Sequence, residues 1–292
     1  MANLKEIRNR ITSISSTMQI TSAMKMVSAA KLKRAQDAVT QMRPYAGKLQ
    51  EILENLSATL DLSENAYSDQ REVKNVLVVG ITSNRGLCGG FNNNIIKRVN
   101  QLVEGEYKDM NPMVLCLGKK IKDVVRKTGR NYTNDTLAAV PDIFNELTFE
   151  NASAIGANLM DLFSSKEFDK IVVVYNSFVN AGVQLVKTEQ FLPIVPTVQE
   201  GEATGAGDYF FEPSKAEIVE ELIPKSLKIQ LFKSLLDSSA SEHGARMTAM
   251  HKATDNASDL KRDLTLQYNK ARQAAITNEI LEIVGGAEAL NG

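Results

Sequence analysis

Apolar residues recur along the first sixty positions of the chain at alternating intervals of three and four. This spacing is the heptad pattern of a coiled-coil helix, and Asn3 with Glu6 forms a capping box at its start. Polar residues interrupt the pattern in the middle, where Ile20, Met24 and Val27 offer a shifted stripe that indicates a local change of supercoil. The N-terminal seam consists of Leu4, Ile7, Ile11, Ile14, Met18, Thr21, Lys25, Ser28, Leu32, Ala35, Val39, Met42, Ala46, Leu49, Leu53, Leu56 and Leu60.

A second seam with the same spacing runs through the last part of the chain. If the chain is helical from Pro224 to Gly285, these roughly 60 residues make a rod of about 90 Å, which is longer than a compact domain of this size. Gly285 and Gly286 should end this helix, and Pro224 should kink it or begin its long part. Pro44 should bend the N-terminal helix or end its first part. The C-terminal seam consists of Ile218, Leu222, Lys225, Ile229, Phe232, Leu236, Ser239, His243, Arg246, Met250, Ala253, Ala257, Leu260, Leu264, Gln267, Ala271, Ala274, Asn278 and Leu281.

Two seams at opposite ends of the chain predict one long antiparallel coiled coil, and the middle must return the chain between its two helices. The middle alternates apolar strands with helices, which predicts a Rossmann-like α/β domain with helices on both faces of its sheet. The turn 180–182 predicts an antiparallel hairpin at one edge, and 199–208 a polar loop. We expect an N-terminal helix in 1–70, the α/β domain in 71–209 and a C-terminal helix in 210–292. The predicted strands are Val73–Ser83, Pro112–Gly118, Asp169–Phe178 and Val183–Ile194, and the predicted helices are Asn92–Val103, Lys119–Lys127 and Glu150–Ser164.

The composition narrows the function classes. The 292 residues have a net charge of -1, and no apolar run approaches the roughly 20 residues of a membrane span. The only cysteines are Cys88 and Cys116, which suggests a reducing compartment. The first 48 residues contain nine Lys or Arg against two acids, so this helix faces nucleic acid, an acidic protein surface or only solvent. Its basic residues are not interleaved with aromatic residues, which argues against nucleic acid.

The most enzyme-like stretch is SNRGLCGGFNNN, residues 83–94, because it lies between a predicted strand and a predicted helix, where phosphate-binding loops occur. It lacks the Gly-Lys-Ser/Thr end of a nucleotide loop and the spacing of a dinucleotide loop, which favours a tight turn that needs glycine. Cys88 is predicted to be a structural thiol, and His243 and His251 are too far apart for a helical metal pair. The residues thus predict no catalytic, cofactor or metal site. Two function classes remain open: a mechanical part of a larger complex, or an enzyme with an unrecognised site in the α/β domain.

The end of the chain, ITNEILEIVGGAEA, resembles the C-terminal signature of the gamma subunits of bacterial F-type ATP synthases. Its matching positions are Ile276, Thr277, Glu279, Glu282, Gly286 and Ala287. Other segments that resemble this family are KEIRNRI, TSAMKMVSAAKLKRAQ and RPYA near the start, SNRGLCGGFN in the middle, and ARMTAMHKATDNA and YNKARQAAIT before the end. The resemblance covers essentially the whole chain.

The resemblance implies that the coiled coil is a rotor shaft whose end sits in a ring of alpha and beta subunits. The α/β domain is then a foot that stands, with the epsilon subunit, on the rotating ring of c subunits. Proton flow through the c ring drives the rotation, and the catalytic sites belong to the alpha/beta ring. No catalytic site, cofactor or nucleic-acid partner is therefore expected here. The regulatory cysteine insertion of chloroplast forms and a transit peptide are both absent, so we expect no thiol switch and a bacterial enzyme, bound peripherally at the cytoplasmic face of the plasma membrane.

The resemblance also assigns roles to individual residues. The residues expected to contact the beta subunits or to tune coupling are Met24, Lys25, Arg246, Gln273, Thr277 and Glu279. The residues expected to form an apolar bearing tip are Ile276, Ile280, Ile283 and Val284. The residues expected to contact the c ring are Tyr209, Phe210, Phe211 and Glu212. The basic N-terminal helix then faces an acidic segment of the beta subunits, which is electrostatic complementarity between proteins.

Overall fold

The computed structural model describes residues 4–57, 66–139, 142–194 and 215–291. The chain begins with a 54-residue helix, α1 (Leu4–Ser57), and ends with a 77-residue helix, α6 (Lys215–Asn291). The strands between them are β1 (Val76–Ile81), β2 (Pro112–Leu117), β3 (Asn131–Tyr132), β4 (Lys170–Asn180) and β5 (Val183–Leu192). The shorter helices are α2 (Phe91–Gln101), α3 (Lys119–Val125), α4 (Asp135–Ala139) and α5 (Phe149–Ser164), with a π-helical turn at Leu102–Glu106 and a 3-10 turn at Arg126–Thr128.

The α/β domain is built on one five-stranded sheet in the order β3-β2-β1-β4-β5. The first four strands are parallel, and β5 runs antiparallel to β4 at the edge. Side chains of α5 and α6, such as Phe163 and Leu231, cover one face, and those of α2 and α3, such as Ile95 and Ile121, cover the other. The strands are apolar runs because both faces are buried. The predicted Rossmann-like domain, its four strands and the edge hairpin are confirmed, whereas β3 and α4 were not predicted.

Contacts divide the chain into two compact units. One contains α1 up to Ser28 together with α6 from Met247, and the other contains Ala29–Arg246. Each long helix therefore contributes to both units. For α6 the physical reason is its base, where Leu227, Leu231 and Leu235 belong to the same apolar cluster as α5 and the sheet.

Within the first unit, α1 and α6 pair in antiparallel fashion, as predicted. The hydroxyl oxygens of Thr21 and Thr254 lie 2.8 Å apart, and the Lys261 ammonium donates to the Ser15 hydroxyl at 3.3 Å. Moving back along α1 from Thr21 to Ser15 thus corresponds to moving forward along α6 from Thr254 to Lys261.

The N-terminal seam is confirmed from Leu4 to Met42 and at Leu49, including its polar positions, whereas the predicted positions Ala46, Leu53, Leu56 and Leu60 lie outside the residues whose burial is described. The predicted shift of the stripe is wrong, because Ile20 and Val27 are exposed while Thr21 and Ser28 stay in the seam. Thr21 can be buried because its hydroxyl has a hydrogen-bonding partner on α6, so the helices need no local change of supercoil there. The buried seam positions are Ile7, Thr21, Ser28, Leu32, Ala35, Val39 and Leu49.

The heptad period of the C-terminal seam is confirmed, and Ala253 is half-buried as predicted, but Lys225 is exposed and the alternate positions from Leu260 to Ala274 are wrong by one residue. Met250, Ala257, Leu264 and Ala271 are buried or half-buried as predicted. The positions between them are filled by Thr254, Lys261, Tyr268 and Ala275, whereas Leu260, Gln267 and Ala274 of the predicted series are exposed. Hydrogen bonds to α1 hold Thr254 and Lys261 in the seam, so an apolar count alone selects the wrong neighbour.

The predicted end of α6 at its two glycines is also wrong, because the helix continues through Gly285 and Gly286 to Asn291. Each glycine costs a helix only about 1 kcal/mol relative to alanine, and the flanking residues are good helix formers. Both long helices likewise continue through their prolines, so Pro44 does not end α1 and Pro224 does not begin a helix. One missing hydrogen bond does not interrupt helices of this length.

Candidate partner-binding surfaces

The outer end of α6 is an unusually apolar exposed helix. Every residue from 276 to 287 is exposed, although the segment contains five large aliphatic side chains. These side chains are between 47% and 72% exposed, and they are Ile276, Ile280, Leu281, Ile283 and Val284. The structure places all four predicted tip residues here and adds Leu281, which the sequence had assigned to the seam. A contiguous exposed patch of aliphatic side chains is a mark of a protein-binding surface.

The polar residues predicted to contact a partner on α6 are exposed below and among this patch. Gln273, Thr277 and Glu279 are all exposed, and the Thr277 hydroxyl donates to the Gln273 carbonyl at 2.9 Å. That bond lies within the helix, so these side chains hold no other described part of the chain. They are available to a partner, and their roles stay predictions.

On α1, the exposed apolar residues lie beside the two predicted contact residues. Ile20, Met26 and Val27 are 57% to 65% exposed, while Met24 and Lys25 are half-buried. Lys25 lies 3.4 Å from the His251 ring nitrogen of α6. Met26 is a surface residue that the sequence analysis missed, because the seam count ignores apolar side chains on the outer face of a helix.

Arg246, by contrast, is used within the chain. Its side chain is 9% exposed, and one guanidinium nitrogen donates to the Glu242 carboxylate at 2.6 Å. The other nitrogen donates to the carbonyl oxygens of Arg85 at 3.2 Å and Gly86 at 3.4 Å. Sequence reasoning missed Glu242, although the spacing of four residues in a helix was a signal for the pair. Contact of Arg246 with a beta subunit remains a prediction.

The carbonyl oxygens that accept hydrogen bonds from Arg246 belong to the glycine-rich loop, which we define as Ser83–Gly90. Leu87 and Gly89 have positive φ, and the Cys88 thiol is buried beside Phe91 and Ala245. A phosphate loop presents N–H groups to its ligand, whereas this loop presents carbonyl oxygens to a guanidinium. The geometry agrees with the predicted tight turn, and the predicted structural thiol is confirmed as buried.

Comparisons with known proteins agree with this architecture. The family model described as ATP synthase matches residues 3–290 of this chain. A protein of Flavobacterium johnsoniae named ATP synthase gamma chain is 64% identical, and its match covers 100% of both chains. A protein of the same name from Christiangramia forsetii is 61% identical, also over 100% of both chains. The chain belongs to the ATP synthase gamma-chain family.

Solved structures show the same fold as this gamma chain. A chain from the Tetrahymena thermophila mitochondrial ATP synthase, in a structure of the central stalk and c-ring, has a TM-score of 0.56 and 27% identity. It covers 80% of the gamma chain, and 99% of its own length is matched. A chain of the Euglena gracilis mitochondrial ATP synthase has a TM-score of 0.65 and 21% identity, with 98% and 94% of the two chains matched.

The predicted c-ring contact, Tyr209–Glu212, and the polar loop 199–208 lie outside the described residues. Among the described residues, no group of three or more acidic, histidine or cysteine side chains is arranged to hold a metal ion. No helix in the described part of the gamma chain is long and apolar enough to cross a membrane.

His243 gives the gamma chain a predictable response to acid. Burial, together with Arg246 and Lys31 nearby, lowers the pKa of His243 from 6.5 to about 4. Below pH 6.5 His243 therefore binds fewer protons in the folded chain than in the unfolded chain. Its contribution to the free energy of unfolding is fully present above that pH and decreases as the pH falls toward 4. Between pH 7 and pH 5 we expect the contribution of His243 to the free energy of unfolding to fall by about 2 kcal/mol.

Urea unfolding of wild type and His243→Gln at both pH values measures this loss. Burial raises the pKa of Glu242, which acts in the opposite direction but is present in both proteins. The difference between the two proteins therefore isolates His243. Equal pH dependence of wild type and His243→Gln contradicts the prediction.

Proposed function

We propose that this gamma chain is the rotor shaft of the central stalk of a bacterial F-type ATP synthase. Its paired outer helices occupy the ring of alpha and beta subunits, and its α/β domain stands with the epsilon subunit on the c ring. Proton flow through the c ring turns the chain, and the turning shaft couples that flow to ATP synthesis or hydrolysis in the alpha/beta ring. The complex works at the cytoplasmic face of the plasma membrane.

The single observation that supports this proposal best is the exposed aliphatic end of α6. Such a patch indicates a surface that a partner protein covers, here a sleeve formed by the alpha and beta subunits. An apolar tip also suits a bearing, because dispersion contacts change little as one surface slides over another, whereas ion pairs fix one position. The polar residues nearby, Gln273, Thr277 and Glu279, contact the beta subunits, as do Met24 and Lys25 on α1. Tyr209–Glu212 contact the c ring.

The chain itself has no catalytic role in this proposal. The loop that most resembles a nucleotide site binds the chain's own Arg246 through carbonyl oxygens. We therefore assign nucleotide chemistry to the alpha and beta subunits, and ATP synthesis and hydrolysis are activities of the whole complex.

Reconstitution tests the proposal. The chain is mixed with alpha and beta subunits of the same organism, and complex formation and ATP hydrolysis are measured beside the chain alone. We expect a stable complex whose ATPase activity depends on this chain, and no hydrolysis by the chain alone. Hydrolysis by the isolated chain, or failure to form the complex, contradicts the proposal and reopens the glycine-rich loop as a site.

A charge at the tip should weaken assembly without harming the chain. Ile280 is 55% exposed, so Ile280→Asp should leave the melting temperature of the isolated chain within about 2 °C. Burying the new carboxylate in an apolar sleeve is costly, so we expect at least about a tenfold higher chain concentration for half-maximal ATPase activity.

Asn278→Asp is the matched control for this experiment. It adds the same charge at an exposed polar position two residues away, and we expect a change of less than about threefold. Equal weakening by both variants, or none by Ile280→Asp, contradicts an apolar sleeve around the tip.

A further inference from the structure

We propose that the glycine-rich loop is the socket that transmits torque between the α/β domain and α6, with Arg246 as the connecting side chain. The inference rests on the proposed function, since only a rotating shaft has torque to transmit. It assigns a role to the motif SNRGLCGG, which no catalytic or nucleotide site explains.

The socket lies where ligands bind in other α/β proteins. β1 has β2 on one side and β4 on the other, so the strand order reverses between β1 and β4. In α/β proteins the crevice beyond the carboxyl ends of the two strands at such a reversal is the usual ligand site. Here α6 takes that place. The Ser241 hydroxyl donates to the carbonyl of Asn176 in β4 at 3.0 Å, and the Asn176 side-chain amide donates to the Phe91 carbonyl at 3.2 Å.

Arg246 joins its own helix to the loop in a fixed geometry. One nitrogen of the planar guanidinium is held by Glu242, one turn earlier on α6, and the other is held by the carbonyls of Arg85 and Gly86. Both side chains of the ion pair are about nine-tenths buried, so water does not replace these bonds readily. The donors of a guanidinium form a rigid fork, which makes the link directional.

The loop is in turn braced by a hydrogen bond within itself and by one to α2. The Ser83 hydroxyl donates to the Arg85 carbonyl at 2.6 Å, and the Ser83 N–H donates to the Asn92 side chain at 2.9 Å. The same carbonyl of Arg85 therefore accepts hydrogen bonds from Ser83, two residues after the end of β1, and from the arginine of α6. A force on the loop reaches α6 through a short chain of hydrogen bonds.

Two further contacts hold α6 on other faces of the helix. Gly244 lies against the hairpin turn, where an added Cβ would be 3.1 Å from the Cα of Ala181. Ala245 packs on Cys88 and Phe91. Consecutive residues of a helix point about 100° apart, so residues 244 to 246 meet the hairpin and the loop on different sides. Contacts on different sides resist rotation of α6 about its axis, as a torque-bearing joint must.

Torsional stiffness in the assembled complex tests this inference. The alpha/beta ring is immobilised, and a bead is attached through Lys108→Cys on the α/β domain. Cys88 is buried and burial raises the pKa of Cys116 to about 12, so maleimide at pH 7 selects the new thiol. The angular variance of the bead during pauses is inversely related to stiffness. We expect Arg246→Met to raise this variance at least twofold.

Two further variants separate torque transmission from stability. Arg246→Lys keeps a cation beside Glu242 but loses the fork, so it should give an intermediate variance and serves if Arg246→Met does not assemble. Leu159→Ala weakens the core of the same unit away from the loop and should leave the variance unchanged. Unchanged variance in both arginine variants, or an equal rise in Leu159→Ala, overturns the inference. A wild-type complex whose bead does not rotate with ATP contradicts the proposed function instead, and the inference with it.

Discussion

Gly118→Ala is expected to cost about 4 kcal/mol or more in the free energy of unfolding, which is a large fraction of the roughly 5–15 kcal/mol that stabilises a typical domain. Gly118 has a φ of 108°, and an added Cβ would lie 2.1 Å from the carbonyl oxygen of Thr82. That carbonyl cannot move aside, because Thr82 is buried, its N–H donates to the Leu117 carbonyl at 2.8 Å, and its hydroxyl accepts from the Ile121 N–H. Urea unfolding of the full chain, followed by circular dichroism, measures the loss.

Gly129→Ala is the matched control, since Gly129 has a φ of 71° but no atom within 4 Å of an added Cβ. Positive φ alone costs a residue with a side chain about 1–2 kcal/mol. A loss at Gly118 no larger than at Gly129 contradicts the close approach of the ends of β1 and β2.

Asp169→Ala is expected to cost about 3–5 kcal/mol, because the Asp169 carboxylate joins the segment before β1 to the start of β4. It accepts from Arg71 Nε at 2.6 Å and from the N–H groups of Lys74 and Asn75 at 3.0 and 2.9 Å. Removing it leaves a mostly buried guanidinium without this partner, although Arg71 still donates to the Phe163 carbonyl. Asp161→Ala, on the exposed face of α5, should change stability by less than about 0.5 kcal/mol.

The pH dependence gives a second check on Asp169. Burial alone would raise the pKa of Asp169, but the N–H groups of Asn75 and Lys74 and the Arg71 guanidinium outweigh it and hold the pKa below its ordinary 3.8. The stabilisation is therefore present above about pH 4 and is lost as the pH falls through the lower folded-state pKa. A difference between wild type and Asp169→Ala that grows in acid contradicts this assignment.

Sequence periodicity predicted the elements whose burial is uniform. β1 is an unbroken apolar run because helices cover both faces, and its bounds follow from that run within three residues. β3 could not be predicted, because its two residues, Asn131 and Tyr132, are half-buried and have no pattern of their own. A strand of that length is defined by its pairing with β2, which only the tertiary structure supplies.

The candidate surfaces show the same limit. The tip residues were predicted from resemblance, and the structure shows their side chains exposed near the outer end of α6. The seam count misplaced Leu260, because an apolar residue that a partner would cover looks the same in sequence as one covered by α1. Arg246 was expected to contact a beta subunit, and its hydrogen bond to a carbonyl of a loop 160 positions away leaves no sequence pattern.

Rotation of a single complex tests the central claim most directly. The alpha/beta ring is fixed to a surface, a bead is attached to the α/β domain of this chain, and ATP is added. We expect stepwise rotation of the bead in one direction, which stops when ATP is removed. A bead that stays still while the same complexes hydrolyse ATP would contradict the claim that this chain is the rotating shaft.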